Sequence, residues 1–310
     1  MAPAGSGRRP SMKTQDMMIF GYLMATGLTT GALYALVAIG VVVVFRATGV
    51  VNFAHGEMFM IGGFLAWTAH VMFGLPFLVA FAAAVAGTFV LGIITYQTTF
   101  RPLASTGNQN AILLAMVGLS FVLKGIARDL WGGRGDYLSF PPLVSPTPVD
   151  IFGFMIMSQQ LIVLGAAIAV MIGFWLFFRF TRAGKFMQAT ADNTKAARLV
   201  GLRVDRVFML TFAVGAAIAG AAATLMAPLT LLYPDVGFSL FVKGFAAAAL
   251  GGLGSIPGAI VGGFLLGVTE QLSANYIATG LQEVAAFILI FLVMIFIPNG
   301  LFGTAARRRV

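Results

Sequence analysis

Residues 179–206 read RFTRAGKFMQATADNTKAARLVGLRVDR, a polar and helix-forming stretch inside a chain that is otherwise almost continuously apolar. The stretch holds seven of the chain's Lys and Arg residues, and its only acidic residues are Asp192 and Asp205. In membrane proteins, an excess of Lys and Arg beside the spans marks cytoplasmic loops. The stretch therefore predicts a basic cytoplasmic loop between membrane helices.

The composition of the whole chain supports a membrane protein. Of its 310 residues, 59% are hydrophobic and 9% are charged, with a mean hydropathy of +0.96. Soluble domains carry about 25% charged residues. Residues 58–100 contain no Asp, Glu, Lys or Arg, and this length is enough for two spans of about 20 residues each.

Charge and side-chain inventory exclude several other classes. The net charge of +9 follows from the positive-inside pattern, so it does not indicate a nucleic-acid partner. The absence of Cys excludes disulfides and thiolate metal sites. Two histidines, His55 and His70, are too few and too isolated for a metal cluster. We expect neither a metal ion nor a cofactor.

The apolar segments predict an all-α fold, a polytopic membrane helical bundle. Backbone groups in lipid must bond internally, which favours helices, and the long Ala, Leu, Val and Gly runs differ from the alternating strands of a membrane barrel. We expect about 8–10 spans, including broken or half-helices. The predicted segments are Met17–Phe45, Gly56–Phe73, Pro76–Phe100, Asn108–Leu130, Ser158–Phe180, Val207–Leu232, Phe238–Leu250, Ile256–Leu272 and Glu283–Ile297.

The domain organisation is one transmembrane domain, residues 17–303, between a disordered tail at 1–16 and a basic cytoplasmic tail at 304–310. Residues 131–150 are rich in Gly and Pro and suit an outer loop. The side of the N-terminus stays open. An odd number of predicted spans before the basic loop places it outside, whereas Arg8, Arg9 and Lys13 favour the inside.

Small residues recur one helical turn apart in two of these segments. Such positions allow close approach of helices in lipid. We expect packing within the chain, with a dimerisation face as the alternative. The positions are Gly215, Ala219 and Ala223 in one segment and Gly258, Gly262 and Gly263 in the other.

Two polar breaks interrupt the apolar pattern. The first, GVVNFAHGE at 49–57, carries ionisable residues of the kind that mark transport pathways. Its alternative is a plain cytoplasmic turn in which Asn52 caps the next helix. The second, GGLGSIPG at 251–258, follows a helix too short to span, which indicates a half-helix or re-entrant element. The candidate pathway residues are Asn52, His55, Glu57, Lys243 and Ser255.

Catalytic and nucleotide-binding motifs are absent from the sequence. It has no Walker-A pattern, no GxSxG and no HExxH, so we expect no enzyme activity in this chain. Glu57 and Glu270 leave open a second class of function, a secondary carrier driven by an ion gradient.

Four runs resemble the LivH-type permeases, the membrane subunits of branched-chain amino-acid ABC importers: GLTTGALYALVAIG (27–40), VVNFAHGEMFMIGG (50–63), RAGKFMQATADNTKAARLVGLRVDRV (182–207) and AAALGGLGSIPGAIVGGFLLGVTE (247–270). Urea and short-amide importers use close relatives. The resemblance implies a location in the bacterial inner membrane, in contact with membrane lipid. It also implies a second permease chain that is homologous but different, two cytoplasmic ABC ATPases and a periplasmic amino-acid-binding protein.

The same resemblance implies that residues 181–206 form the coupling loop, whose short helix docks on an ATPase. The residues agree, because Gln188–Val200 contains helix formers and Gly201 is a helix stop. A merely solvated basic loop is the alternative. Two positions depart from the family, Arg46 and the lone acid Asp192. The predicted coupling residues are Lys185, Ala191, Asp192, Lys195, Ala196, Ala197, Arg198 and Gly201.

The sequence therefore predicts a permease subunit of an ABC importer that carries branched-chain or related hydrophobic amino acids across the inner membrane. An ion-gradient-driven carrier and an ABC permease for urea or short amides are the alternatives. Selectivity is expected to reside largely in the binding protein.

Overall fold

The computed structural model describes residues 12–132, 137–145, 147–151, 154–297 and 300–303. These residues form a helical bundle with one small β-hairpin, in agreement with the predicted class. α2 and α3 are extended by π-helical turns at 68–72 and 96–100. The elements are α1 (Met12–Thr48), α2 (His55–Trp67), α3 (Phe77–Thr95), α4 (Arg101–Ala104), α5 (Gln109–Trp131), β1 (Pro148–Ile151), β2 (Phe154–Met157), α6 (Ser158–Phe180), α7 (Arg182–Asp192), α8 (Thr194–Leu199), α9 (Val204–Met226), α10 (Val236–Gly251), α11 (Ile256–Tyr276) and α12 (Leu281–Phe296).

Within the described ranges, six helical segments are long and apolar enough to cross a membrane. They contain α1, the joined α3–α4 segment, α5, α6, α9 and α11. α10 is apolar but shorter, and α2 is a short helix between α1 and α3. The bundle therefore contains both span-length and shorter helices, in agreement with the predicted mixture of spans and half-helices.

α1 is the central helix, and its residues 32–39 are almost completely buried. It crosses α11 at very short range because the contact is lined by glycine. Gly27 lies against the backbone at Val268, and Gly31 lies against the backbone at Phe264. Lipid removes most of the hydrophobic drive between helices, so close packing of small residues holds such a pair together.

Glycine contacts of the same kind also join the other inner helices. Gly56 of α2 lies against Gly237 of α10, and Gly62 of α2 lies against Gly220 of α9. The predicted small-residue positions also face inward: Gly215 lies against Gly40, and Gly262 against Ala247. Their packing role within the chain is confirmed.

The two ends of the bundle differ in charge. One end, here named the basic face, holds Arg46 at the end of α1, α4, α7, α8 and the first turn of α9. Its parts are joined by ion pairs between Arg46 and Asp192 at 2.9 Å and between Arg101 and Asp205 at 3.4 Å. The other end, here named the hairpin face, holds the β1–β2 hairpin and residues 138–145.

The chain termini of the described part lie at opposite faces. Gly21 of α1 contacts Phe154 of the hairpin, so α1 begins at the hairpin face. After α12, the N–H of Leu301 donates to the carbonyl of Leu250 at the basic face. α1 therefore starts on the side of the bundle opposite the basic loop.

Several predicted boundaries are wrong. α1 begins at Met12, so residues 12–16 are helical rather than part of a tail; residues 1–11 and 304–310 lie outside the described ranges. The segment predicted to run to Leu232 ends at Met226, two residues before Pro228, which cannot continue a helix. The single helix predicted over 188–200 is two helices, because Asn193 breaks the run and caps α8.

Replacing Gly267 by Val should test the glycine contact between α1 and α11. An added side chain at this position meets the backbone of Gly31. We therefore expect overpacking to lower the free energy of unfolding by about 1–3 kcal/mol. The melting temperature of the purified protein in detergent measures the effect. Gly165→Val in α6 is the matched control, because nothing lies within 4 Å of its added Cβ; equal losses at both sites would contradict the packing role.

Candidate functional site

The α7–α8 pair on the basic face forms because two polar residues cap the helices. The Thr181 hydroxyl accepts a hydrogen bond from the Gly184 N–H at 3.0 Å, and the side-chain Oδ1 of Asn193 accepts one from the Ala196 N–H at 3.0 Å. Gly201 then ends the segment with φ +84°, a conformation that suits glycine. The predicted helix stop at Gly201 is confirmed.

One side of the α7–α8 pair is fixed to the bundle. Gly184 packs on the backbone of Phe178 at the end of α6. The Gln188 side chain donates to the Phe178 carbonyl at 2.9 Å, and Met187 and Ala197 are buried. Ala197, predicted as a contact for an ATPase, therefore packs inward in this chain.

The other side of the pair is largely exposed. Of the predicted coupling residues, Ala191 is half-buried. Six others are exposed: Lys185, Asp192, Lys195, Ala196, Arg198 and Gly201. Leu199 and Val200 lie beside them and are 88% and 76% exposed. Sequence reasoning missed this apolar pair, although its position directly before the helix stop was a usable signal.

The two departures from the family pattern are partners in the structure. Arg46 Nη2 donates to Asp192 Oδ1 at 2.9 Å, which joins the end of α1 to the end of α7. Both side chains are partly exposed, so the pair contributes about 0–1 kcal/mol. Its effect is mainly to position α7 against the central helix.

The polar residues that open α2 lie inside the bundle. Asn52, His55 and Glu57 are each at most 2% exposed. The His55 ring lies against Gly40, eight residues before the end of α1 and so about 12 Å of helix from the basic face. Asn52 Oδ1 accepts a hydrogen bond from the Ala54 N–H at 3.0 Å, which closes the turn before α2; the N-cap itself is Ala54. The turn weighed as an alternative is present between α1 and α2, and its polar side chains are buried rather than exposed.

Glu57 belongs to a chain of charges between α2, α5 and the start of α10. Lys124 Nζ lies 3.7 Å from Glu57 and 3.3 Å from Asp235, and Arg128 lies 2.9 Å from Asp235. Burial raises the pKa of Asp235, but hydrogen bonds from Arg128 and Lys124 outweigh burial, so its pKa lies below the ordinary value. Asp235 is therefore ionised at neutral pH.

Ser255 is separate from these residues. It lies at the basic-face end of α10 and α11 and accepts a hydrogen bond from the Gly258 N–H at 3.1 Å, which caps α11. Lys243 lies eight residues before the end of α10. The five predicted pathway residues thus occupy three places rather than one.

A cavity of about 430 Å³ lies in the hairpin-face half, between α1, α6, α10, α11 and the loop after α9. Lys243 lines it, and Asn52, His55, Glu57 and Ser255 are not among its lining residues. The sequence signal for this cavity was a polar stripe spaced three or four residues apart on the apolar α1. The polar lining residues are Thr26, Thr29, Thr30, Tyr34, Gln160, Thr230, Tyr233, Ser239, Lys243 and Gln271.

Lys243 is held at the cavity wall by two neighbours. Its Nζ donates to Glu270 Oε1 at 2.5 Å and to the Tyr34 hydroxyl at 3.2 Å. It also lies 5.4 Å from the centre of the Tyr34 ring, a cation–π distance. Glu270, considered above as a proton relay, is 1% exposed and ion-paired. Among the residues that the structure describes, no group of three His, Cys, Asp or Glu could hold a metal ion.

Comparison with known proteins finds matches over most of the chain. The model of the family described as "Branched-chain amino acid transport system / permease component" matches residues 23–298. The chain is 36% identical to the high-affinity branched-chain amino acid transport system permease protein BraD of Pseudomonas aeruginosa, over 92% of this chain and 97% of that one. It is 34% identical to LivH of Escherichia coli K12, over 94% and 97%. A solved structure, PsaBC from Streptococcus pneumoniae in complex with Fab, aligns with a TM-score of 0.48 at 16% identity, over 93% and 96%.

Removing one member of the Lys243–Glu270 pair should cost more stability than removing both. Lys243→Met leaves Glu270 as an unpaired buried charge, which costs about 3–5 kcal/mol. The double variant Lys243→Met with Glu270→Gln leaves no buried charge, so its melting temperature should lie closer to that of the unaltered protein. A double variant as unstable as the single one would contradict the pairing.

Proposed function

Because the chain belongs to the family of branched-chain amino acid transport permease components, we propose that it is the transmembrane permease subunit of an ABC importer for branched-chain or related hydrophobic amino acids. The family match over residues 23–298 carries this proposal. The related proteins are transport permeases, which are not enzymes themselves, and this sequence lacks a Walker-A motif. ATP hydrolysis is assigned to two separate ATPase chains.

The orientation follows from the charge difference between the two faces. Arg46, Arg101 and the basic residues of α7 and α8 lie at one end, and the positive-inside rule assigns that end to the cytoplasm. The hairpin face then lies outside, where a periplasmic amino-acid-binding protein delivers substrate. The proposed location is the bacterial inner membrane, within lipid and beside a second permease chain that is homologous but different.

The α7–α8 pair is the proposed ATPase-docking element. Leu199 and Val200 present apolar surface to water on the basic face, with Lys195 and Arg198 beside them. An apolar pair with a charged rim suits a groove on a partner protein. A merely solvated loop accounts for the basic residues, but it gives no reason for the most exposed large hydrophobic side chain of the described residues, Leu199.

Movement of the docking element reaches the bundle through fixed contacts. Gln188 bonds to α6 at Phe178, and Asp192 pairs with Arg46 on α1. α1 and α6 also supply walls of the cavity in the other half. In the proposed mechanism, closure of the ATPases moves α7 and α8, and these helices shift α1 and α6 to change access to the cavity.

Leucine uptake by the complete complex in proteoliposomes tests the proposed function. With ATP and the ATPases in the lumen and the binding protein outside, uptake should require ATP and should persist when the proton gradient is collapsed. Leucine transport by this chain alone down a proton gradient would favour the secondary carrier. ATP-driven uptake of urea without leucine would favour the urea and short-amide alternative.

Substitution of the exposed apolar pair tests docking separately. Leu199→Asp places a carboxylate where the ATPase groove should close, so we expect about tenfold or greater loss of ATPase co-purification and of leucine uptake. Ser105→Asp is the matched control, since it adds the same charge to an exposed loop on the same face. Docking through α8 is refuted if both variants retain the ATPases equally.

A further inference from the structure

The cavity in the hairpin-face half contains a balanced pair of charges. Lys243 is the only charged side chain that lines it among the described residues, and its partner Glu270 lies directly behind. The remaining polar lining consists of hydroxyl and amide groups. The pair therefore leaves this wall of the cavity without net charge, and Lys243 is the member that faces the cavity.

Both members of the pair have unused hydrogen-bonding capacity. Lys243 has three donors, and two of them are taken by Glu270 and Tyr34. Glu270 Oε2 is buried and makes no hydrogen bond within the described residues, and the same holds for Oε1 of the lining residue Gln160. Buried polar atoms in native proteins are rarely left unpaired. Lys243 and Gln160, which line the cavity, therefore suit a ligand that brings both an acceptor and a donor.

We propose that this cavity binds the ammonium–carboxylate group of an amino acid, with Lys243 contacting the carboxylate and the hydroxyl and amide oxygens of the lining contacting the ammonium group. Glu270 balances the charge of Lys243 from behind. The inference rests on the proposed function, which supplies an amino acid as substrate, and it assigns the recognised chemistry. A zwitterion fits because it adds no net charge to a site that is itself neutral. A simple amine or a simple carboxylate adds an unpaired charge, which is costly to bury.

The apolar part of the cavity does not select strongly for one aliphatic amino-acid side chain over another. Its apolar lining comes from flexible or branched residues such as Leu33, Met226 and Leu240, which tolerate differences of one methylene at small cost. Its volume of about 430 Å³ lies within the range of small-molecule sites. The permease thus recognises the part common to all amino acids, and leucine, isoleucine and valine should bind alike.

Cysteine protection tests this site directly, because the chain contains no Cys. Ser239→Cys places a single thiol in the cavity one helical turn before Lys243. The alkylation rate of this chain by a polar maleimide is measured in the assembled importer with leucine, 3-methylbutylamine or 4-methylpentanoate. The last two compounds keep the side chain of leucine but lack the carboxylate or the ammonium group. Ser145→Cys, in the exposed loop of the hairpin face, is the control.

We expect leucine to slow alkylation at Ser239→Cys severalfold and to leave Ser145→Cys unchanged. The two analogues should not protect, and the neutral pair Lys243→Met with Glu270→Gln should abolish protection while the thiol stays reactive. Protection by either analogue, or protection that survives the neutral pair, overturns the proposal. Leucine uptake by the same assembled importer in proteoliposomes distinguishes failure of this site from failure of the proposed function. Uptake without protection overturns only the site, whereas the absence of ATP-driven uptake overturns the proposed function.

Discussion

The close contact between α1 and α11 is the constraint on which the rest of the structure depends. Glycines on both helices let the backbones approach where a larger side chain would collide. The helices are antiparallel, and side chains lean towards the N-terminus of their own helix. Tyr34 and Glu270 therefore lean towards one another across the contact. Lys243 completes the group from α10, which packs against both helices.

A second constraint arises where helices begin inside the bundle. α2 starts at His55, and its first turn meets the first turn of α10 at Gly56 and Gly237. Two helix N-termini with partial positive charge lie together there, and acidic side chains stabilise such ends. Glu57 and Asp235 supply that charge, and Lys124 balances it. The polar motif at 49–57 is thus explained by the half-helix that it starts, without a direct role in lining the cavity.

The sequence was sufficient for features that depend on local chemistry. Hydropathy and the positive-inside pattern predicted the class and the basic face, and Gly201 predicted the end of α8. Features that depend on contacts between residues far apart in the sequence could not be predicted from it. Lys243 and Tyr34 are separated by 209 positions, and nothing local indicates that they meet. The break at Asn193 was also missed, because a single capping residue competes with strong helix formers around it.

The central helix α1 connects the basic face with the cavity in the hairpin-face half. α1 carries Arg46 at the basic face, paired with α7, and it carries Thr26, Thr30 and Tyr34 at the cavity. Glycine packing makes α1 difficult to deform, since a tightly packed interface shifts as a unit rather than bending continuously. A displacement of α7 is therefore more easily absorbed as a movement of the whole helix than as local bending. Such a movement changes the geometry around Lys243, which is the physical basis of the proposed coupling between an ATPase on the basic face and the proposed binding site in the cavity.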